Sequence, residues 1–151
     1  MHHYHATICW ARDDSDFVRG RYSRAHQWRF DEGVTVPASA SPLVVPLPFS
    51  ARAAVDPEEA LVAAAASCHM LTFLWLAAKE GFVIERYEDD ATGLMEKNAR
   101  GRLAITRITL KPRIEFSGDR SPTTAELDRL HHAAHDECYI ANSISAEIVV
   151  E

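Results

Sequence analysis

Two thiols seventy positions apart carry the strongest chemical signal in this chain. Cys68 lies in the apolar run Ala64–Leu71 with Ser67 and His69 beside it, and Cys138 ends the stretch His131–Cys138. A cysteine thiolate attacks disulfides and O–O bonds, and a second thiol can condense with the resulting sulfenic acid to give a disulfide. Taken singly, each cysteine also reads as a small buried apolar residue, a common use of this side chain. Whether the two come within bonding distance is not a property of the sequence. Cys9, in Ala6-Thr7-Ile8-Cys9-Trp10, reads as a small hydrophobe in a strand.

Histidines offer a rival chemistry. His131, His135 and Cys138 fall at i, i+4 and i+7, so they share one side of a helix, and with His69 or Cys68 they could supply four ligands to zinc or another metal. No CxxC accompanies them, and helical histidine clusters are often plain surface residues. His69 or His135 could instead act as a base or cation tuning a thiolate. A third class is a binding module without catalysis, in which Trp28, Phe73, Trp75, Tyr87 and Tyr139 line an apolar pocket for a small molecule. Core packing is the commoner use of such aromatics.

These residues must be positioned by a small set of elements. Short strands are expected at His5–Ala11, His26–Phe30 and Gly33–Pro37, the last two joined through Asp31-Glu32-Gly33. A loop rich in proline and small residues follows, from Ala38 to Ser50, long enough to suggest a functional or interface role. Asp56-Pro57-Glu58-Glu59 reads as a helix start with capping-box spacing. That helix should run to about Glu80 and stop at Gly81. It is apolar on nearly every side and should therefore be surrounded by protein. Strands are expected at Phe82–Tyr87 and Thr92–Glu96. From Ala104 to Phe116 every second residue is apolar or small, predicting one long half-buried strand with Pro112 at an edge or bulge. Thr123-Thr124-Ala125-Glu126 opens a second helix reaching about Glu137. A strand with Ile144, Ala146, Ile148 and Val150 on one face ends the chain. The sum is a single α+β domain over residues 1–151, two helices packed on antiparallel sheet.

At 151 residues, 47% hydrophobic and 25% charged, the chain is long enough for one core and is globular in composition. Its net charge of -6 argues against a nucleic-acid footprint. The stretch Ala60–Ala78 is long enough to span a bilayer, but His69 sits near its centre and Glu58-Glu59 and Lys79-Glu80 bracket it, so a buried helix is expected and no membrane association. Met1–His5 has no basic segment leading into an apolar run, and three cysteines without an export signal fit a reducing cytoplasm.

Several segments together carry a resemblance: Pro57-Glu58-Glu59-Ala60-Leu61, Ala64–Met70, Tyr87–Gly93, and Ala133–Cys138 with Asn142-Ser143 behind it. From about Ala6 to Val150 the chain resembles the OsmC/Ohr family of thiol-dependent peroxidases. The PEE…SC segment with a second cysteine seventy residues on is the specific part. His69 after the first cysteine and Tyr139 after the second depart from the family pattern and mark a divergent branch. The resemblance implies an OsmC-like fold, antiparallel sheets around a long buried central helix with a second helix, in an intertwined homodimer. It implies Cys68 as the peroxidatic thiolate and Cys138 as the resolving thiol, reducing organic hydroperoxides in oxidative-stress defence. It also implies no bound cofactor, and an external dithiol reductant such as a lipoyl group.

In the family an arginine held by a glutamate lowers the pKa of the reactive thiol. Glu58 matches that glutamate, although any Glu at a helix start also complements the helix dipole. Arg24 and Arg21 are the candidate arginines, ahead of Arg52. Glu58 and Cys68 are ten residues apart on one helix, or roughly 15 Å along its axis. No side chain closes that gap, so a Glu58 that serves a Cys68 should belong to a second copy of the chain.

Overall fold

The computed structural model describes Met1–Glu151 as two compact units, Met1–Ala60 and Leu61–Glu151. In the first unit, β1 (Thr7–Cys9), β2 (His26–Arg29) and β3 (Thr35–Ala38) form an antiparallel sheet in that spatial order. The register sets Ile8 opposite Trp28 and Trp28 opposite Val36. The β2–β3 connection turns through Glu32 and Gly33, both at positive φ, and glycine takes that conformation without a Cβ clash. The loop after β3 is laced back onto it. Ser39 N–H donates to the Val55 carbonyl and Val55 N–H to that of Pro37, while Ala51 N–H donates to the Ser39 hydroxyl.

Helix α1 (Pro57–Lys79) begins where the sequence places it. Asp56 Oδ1 accepts from the Glu59 N–H at 2.8 Å and Glu59 Oε2 accepts from the Asp56 N–H at 3.4 Å, a reciprocal cap that satisfies two orphan donors. The helix ends one residue before Glu80, and Gly81 follows at φ 81°. Its buried residues are Ala65, His69, Phe73 and Ala77, a single stripe at four-residue spacing. The chain itself covers only part of the helix, so the protein expected to surround it is not all supplied by one copy. Leu71 and Trp75 are 61% and 54% exposed, because the elements packed on the stripe cover one face only.

In the second unit, β4 (Val83–Asp89) pairs antiparallel with β7 (Pro112–Ser117). A second sheet holds β5 (Thr92–Lys97), β6 (Leu103–Leu110) and β8 (Glu147–Val150) in that order. The alternating run from Ala104 to Phe116 is therefore not one strand. It breaks at Lys111, whose N–H leaves the ladder for Asp89 Oδ1 at 2.7 Å, and Pro112 next to it has no N–H to give. The alternation survives the break because both halves bury one face, each against a different part of α1. β8 also departs from expectation, lying parallel to β6 where an antiparallel arrangement was predicted.

Two apolar clusters result. Phe73, Ala77, Phe82, Leu130 and Ala134 are buried together with Ile84, Tyr87, Ile114 and Phe116 packed on them. Ala65, Ile108 and Leu110 form the other, closed by Leu61, Val62 and Ile148. Helix α2 (Thr124–Glu137) opens with the predicted capping box: Thr123 Oγ1 accepts from the Glu126 N–H while the Glu126 carboxylate accepts from the Thr123 N–H. Cys138 is its C-cap. The α+β architecture agrees with the sequence reading.

Candidate functional site

Helices α1 and α2 run antiparallel along one seam, as their contacts show in order. Cys68 meets Cys138, His69 and Phe73 meet His131, and Glu80 accepts from Arg129 at 2.6 Å. The seam brings together the two cysteines that the sequence could only place on separate helices. The two thiols are near enough for Cys68 to act on the ionisation of Cys138, and neither is in a disulfide.

The two thiols are unequal. Cys138 is 1% exposed, whereas Cys68 is only half-buried. Burial pushes the Cys138 thiol up from its ordinary value, and the neighbouring Cys68 thiol adds to that, opposed by the backbone N–H of Ala141 at 3.4 Å from Sγ. Cys138 therefore stays protonated at neutral pH. Cys68 is the more accessible of the two.

Beside the thiols the seam holds a histidine pair. His69 Nε2 and His131 Nδ1 are 3.0 Å apart with the ring planes parallel to within 8°, and His131 stacks on Phe73 at 4.4 Å. His69 is 1% exposed and its Nδ1 has no partner. Burial, reinforced by the charges of His131 and His135, lowers the His69 pKa to about 4, and burial lowers that of His131 as well. Within the chain no three His, Cys, Asp or Glu side chains converge, and the facing nitrogens of His69 and His131 are taken up by each other.

The neutral pair has a consequence for stability. The unfolded chain takes up a histidine proton near 6.5 and the folded one only near 4, so this contribution is complete above pH 6.5 and is lost as the pH falls toward 4. Glu80, Glu88 and Glu126, lowered by their hydrogen bonds and arginine neighbours, contribute in the same direction only below about 4.5. Denaturant unfolding followed between pH 7 and 5 should show stability falling with pH in the wild type. It should stay markedly flatter in His69→Gln; equal slopes would refute the assignment.

The arginines and Glu58 lie in the first unit. Arg21 and Arg52 are exposed. Arg24 is half-buried and lines a cavity of about 480 Å³ with Ile8, Trp10, Phe17, Tyr22 and His26 among its walls. Trp10, Phe17 and Tyr22 touch one another with ring centroids 4.5 to 5.8 Å apart. The Arg24 guanidinium lies 3.7 Å over Tyr22, and its Nη1 donates to the carbonyls of Gly20 and Tyr22 at 2.9 and 2.5 Å. Glu58, in the first turn of α1, has a buried Oε2 with no hydrogen-bond partner.

The aromatics proposed from sequence do not form one pocket. Trp75 and Tyr139 are exposed, Phe73 and Tyr87 meet in the core 5.9 Å apart, and Trp28 is tied to His26. The apolar cavity is built instead from Trp10, Phe17 and Tyr22, which sit at irregular spacing in a segment with little regular structure and share no periodic signal. His26 was legible only as a strand residue.

A family model described as OsmC-like protein matches residues 50–151. No curated protein matches the chain. Among solved structures, an OsmC-like protein of unknown function from Vibrio cholerae is 49% identical with a TM-score of 0.97, covering 100% of this chain and 99% of that one. An organic hydroperoxide resistance protein from Elizabethkingia anophelis is 15% identical with a TM-score of 0.71, covering 100% and 96%. The organic hydroperoxide resistance protein OhrB of Bacillus subtilis is 17% identical with a TM-score of 0.64, covering 98% and 97%. These last two are likenesses of fold.

Proposed function

The chain belongs to the OsmC-like protein family, and on that premise we propose that it is a thiol-dependent peroxidase reducing organic hydroperoxides through Cys68 and Cys138. The observation that carries the proposal is the pair of thiols side by side with unequal access: Cys68 half-buried, Cys138 sealed and held protonated. The Cys68 thiolate attacks the outer peroxide oxygen, the O–O bond breaks, and the alcohol leaves with a proton while Cys68 becomes a sulfenic acid. The Cys138 sulfur then displaces water from that sulfenic acid, its proton leaving with the hydroxide. An external dithiol, such as a lipoyl group, returns two electrons by exchange. The fold likeness to two organic hydroperoxide resistance proteins supports the choice of oxidant.

Glu58 and Arg24 are the residues proposed to tune Cys68, with Arg24 preferred to Arg21 because it alone lines the aromatic cavity. A guanidinium beside a thiolate stabilises its charge, and Glu58, with a buried unpartnered oxygen, is suited to hold it. The distance of roughly 15 Å along α1 from Glu58 to Cys68 puts the cysteine they serve on a second copy of the chain. The uncovered face of α1 bearing Leu71 and Trp75 supports a homodimer. The aromatic cavity then receives the organic body of the peroxide.

Intact mass measured during titration with an organic hydroperoxide tests the reading. One equivalent should remove two hydrogens and leave a mass that dihydrolipoamide restores. If the thiols stay reduced, the peroxidase reading is wrong and a non-catalytic binding role for the aromatic cavity takes its place.

A further inference from the structure

The Trp28 indole nitrogen lies 3.0 Å from His26 Nε2. An indole N–H only donates, so Nε2 is the bare, accepting nitrogen and the proton of the neutral ring sits on Nδ1. His26 Nδ1 in turn lies 2.7 Å from the Arg24 carbonyl oxygen, which only accepts. Two contacts from opposite ends of the ring select the same tautomer. The donors therefore run in one direction, from Trp28 through His26 to the main chain of Arg24.

The geometry around this chain of bonds is that of a mount. His26 and Trp28 are two residues apart on β2, the middle strand of its sheet, so they project from one face of a rigid element. Arg24 precedes that strand, and its own N–H donates to the Phe49 carbonyl at 2.9 Å. Trp10 Nε1 donates to the Ser23 carbonyl at 2.9 Å, and Arg24 Nη1 is held by the carbonyls of Gly20 and Tyr22. Gly20 presents its carbonyl from a left-handed turn at φ 72°. The guanidinium thus has one nitrogen spent on anchoring, a face stacked on Tyr22, and its remaining edge free in the cavity.

We propose that His26 and Trp28 are positioning residues for Arg24, acting through its carbonyl to hold the free guanidinium edge at one place. This rests on the reading that Arg24 stabilises the Cys68 thiolate. Electrostatic stabilisation depends on a charge already in place, and an arginine released into its many rotamers loses much of that effect. Neither His26 nor Trp28 touches substrate; both act through Arg24.

The test reads the thiolate directly. In a Cys9→Ser, Cys138→Ser background only Cys68 is alkylated by iodoacetamide, and its rate against pH reports the thiolate fraction. Arg24→Ala should slow the reaction at pH 7 about tenfold, the effect of a one-unit rise in pKa. His26→Ala should reproduce most of that slowing without unfolding the protein, and Trp28→Phe a smaller part of it. His26→Asn, whose side-chain N–H can replace Nδ1–H, should react nearly as wild type. Adding His26→Ala to Arg24→Ala should change nothing more, because residues acting through one group are not additive.

A further slowing in the double variant, or a His26→Asn no better than His26→Ala, overturns the mount and leaves the arginine assignment standing. No effect of Arg24→Ala overturns the arginine assignment and the mount with it. Failure of the wild type to consume peroxide overturns the peroxidase reading, while the alkylation series still decides whether His26 acts through Arg24.

Discussion

Cys68→Ser is expected to abolish hydroperoxide consumption, with a loss of about a thousandfold or more, as when a catalytic nucleophile is removed. Serine keeps the shape of the side chain but replaces the thiol with a far less nucleophilic hydroxyl. Cys138→Ser should behave differently: one equivalent of peroxide is consumed, the protein gains one oxygen as a sulfenic acid, and excess peroxide drives it to the sulfinic acid. The contrast follows from the unequal burial of the two thiols. If Cys138→Ser abolished the first equivalent as completely as Cys68→Ser, the division into attacker and resolver would fail, and if Cys68→Ser alone kept it, the roles would be reversed. The same variants locate the tuning residues. Mixed chains of Cys68→Ser and Glu58→Gln, each weak alone, should regain activity when co-refolded if Glu58 serves the cysteine of a second copy. No recovery would place both residues in one chain.

Phe73→Ala should cost about 3–5 kcal/mol of stability, the usual range for deleting a buried phenylalanine. For a chain of this size that lowers Tm by about 2–4 °C per kcal/mol. Phe73 is fully buried and meets the Tyr87 ring at 5.9 Å and the His131 ring at 4.4 Å. Its removal therefore opens the core and unstacks the histidine pair together. Thermal unfolding by circular dichroism checks the first effect, and slower disulfide closure after peroxide checks the second, since the same seam aligns the thiols. Leu103→Ala, at a site 71% exposed, should fall within about 0.5 kcal/mol of wild type. Equal losses at the two sites would refute this account of the core.

Helix α1 shows both what a sequence states and where it falls short. Its start at Asp56 and stop before Gly81 were legible because caps are local chemistry between residues three or four apart. Its all-round apolarity was equally legible, yet one chain covers only the stripe from Ala65 to Ala77. The run from Ala104 to Phe116 was read correctly as alternating and wrongly as one strand. Alternation reports only that each residue pair straddles a buried face, and it cannot say that the two halves join different sheets across Lys111.

The candidate site divides along the same line. The sequence by itself determined the elements, their caps, and the two cysteines with their flanking residues, because these rest on side-chain type and short spacing. Only the tertiary structure decided that Cys68 lies beside Cys138, that His69 and His131 bond to each other, and that Arg24 lines a cavity of Trp10, Phe17 and Tyr22. The first two join residues 70 and 62 positions apart, and the cavity draws its walls from residues between Ile8 and Pro57. These arrangements exist because burying one apolar stripe of α1 sets how α2 lies against it, and because a three-stranded sheet carries the Arg24 segment. Such closure is a property of the whole folded unit, and no local pattern encodes it.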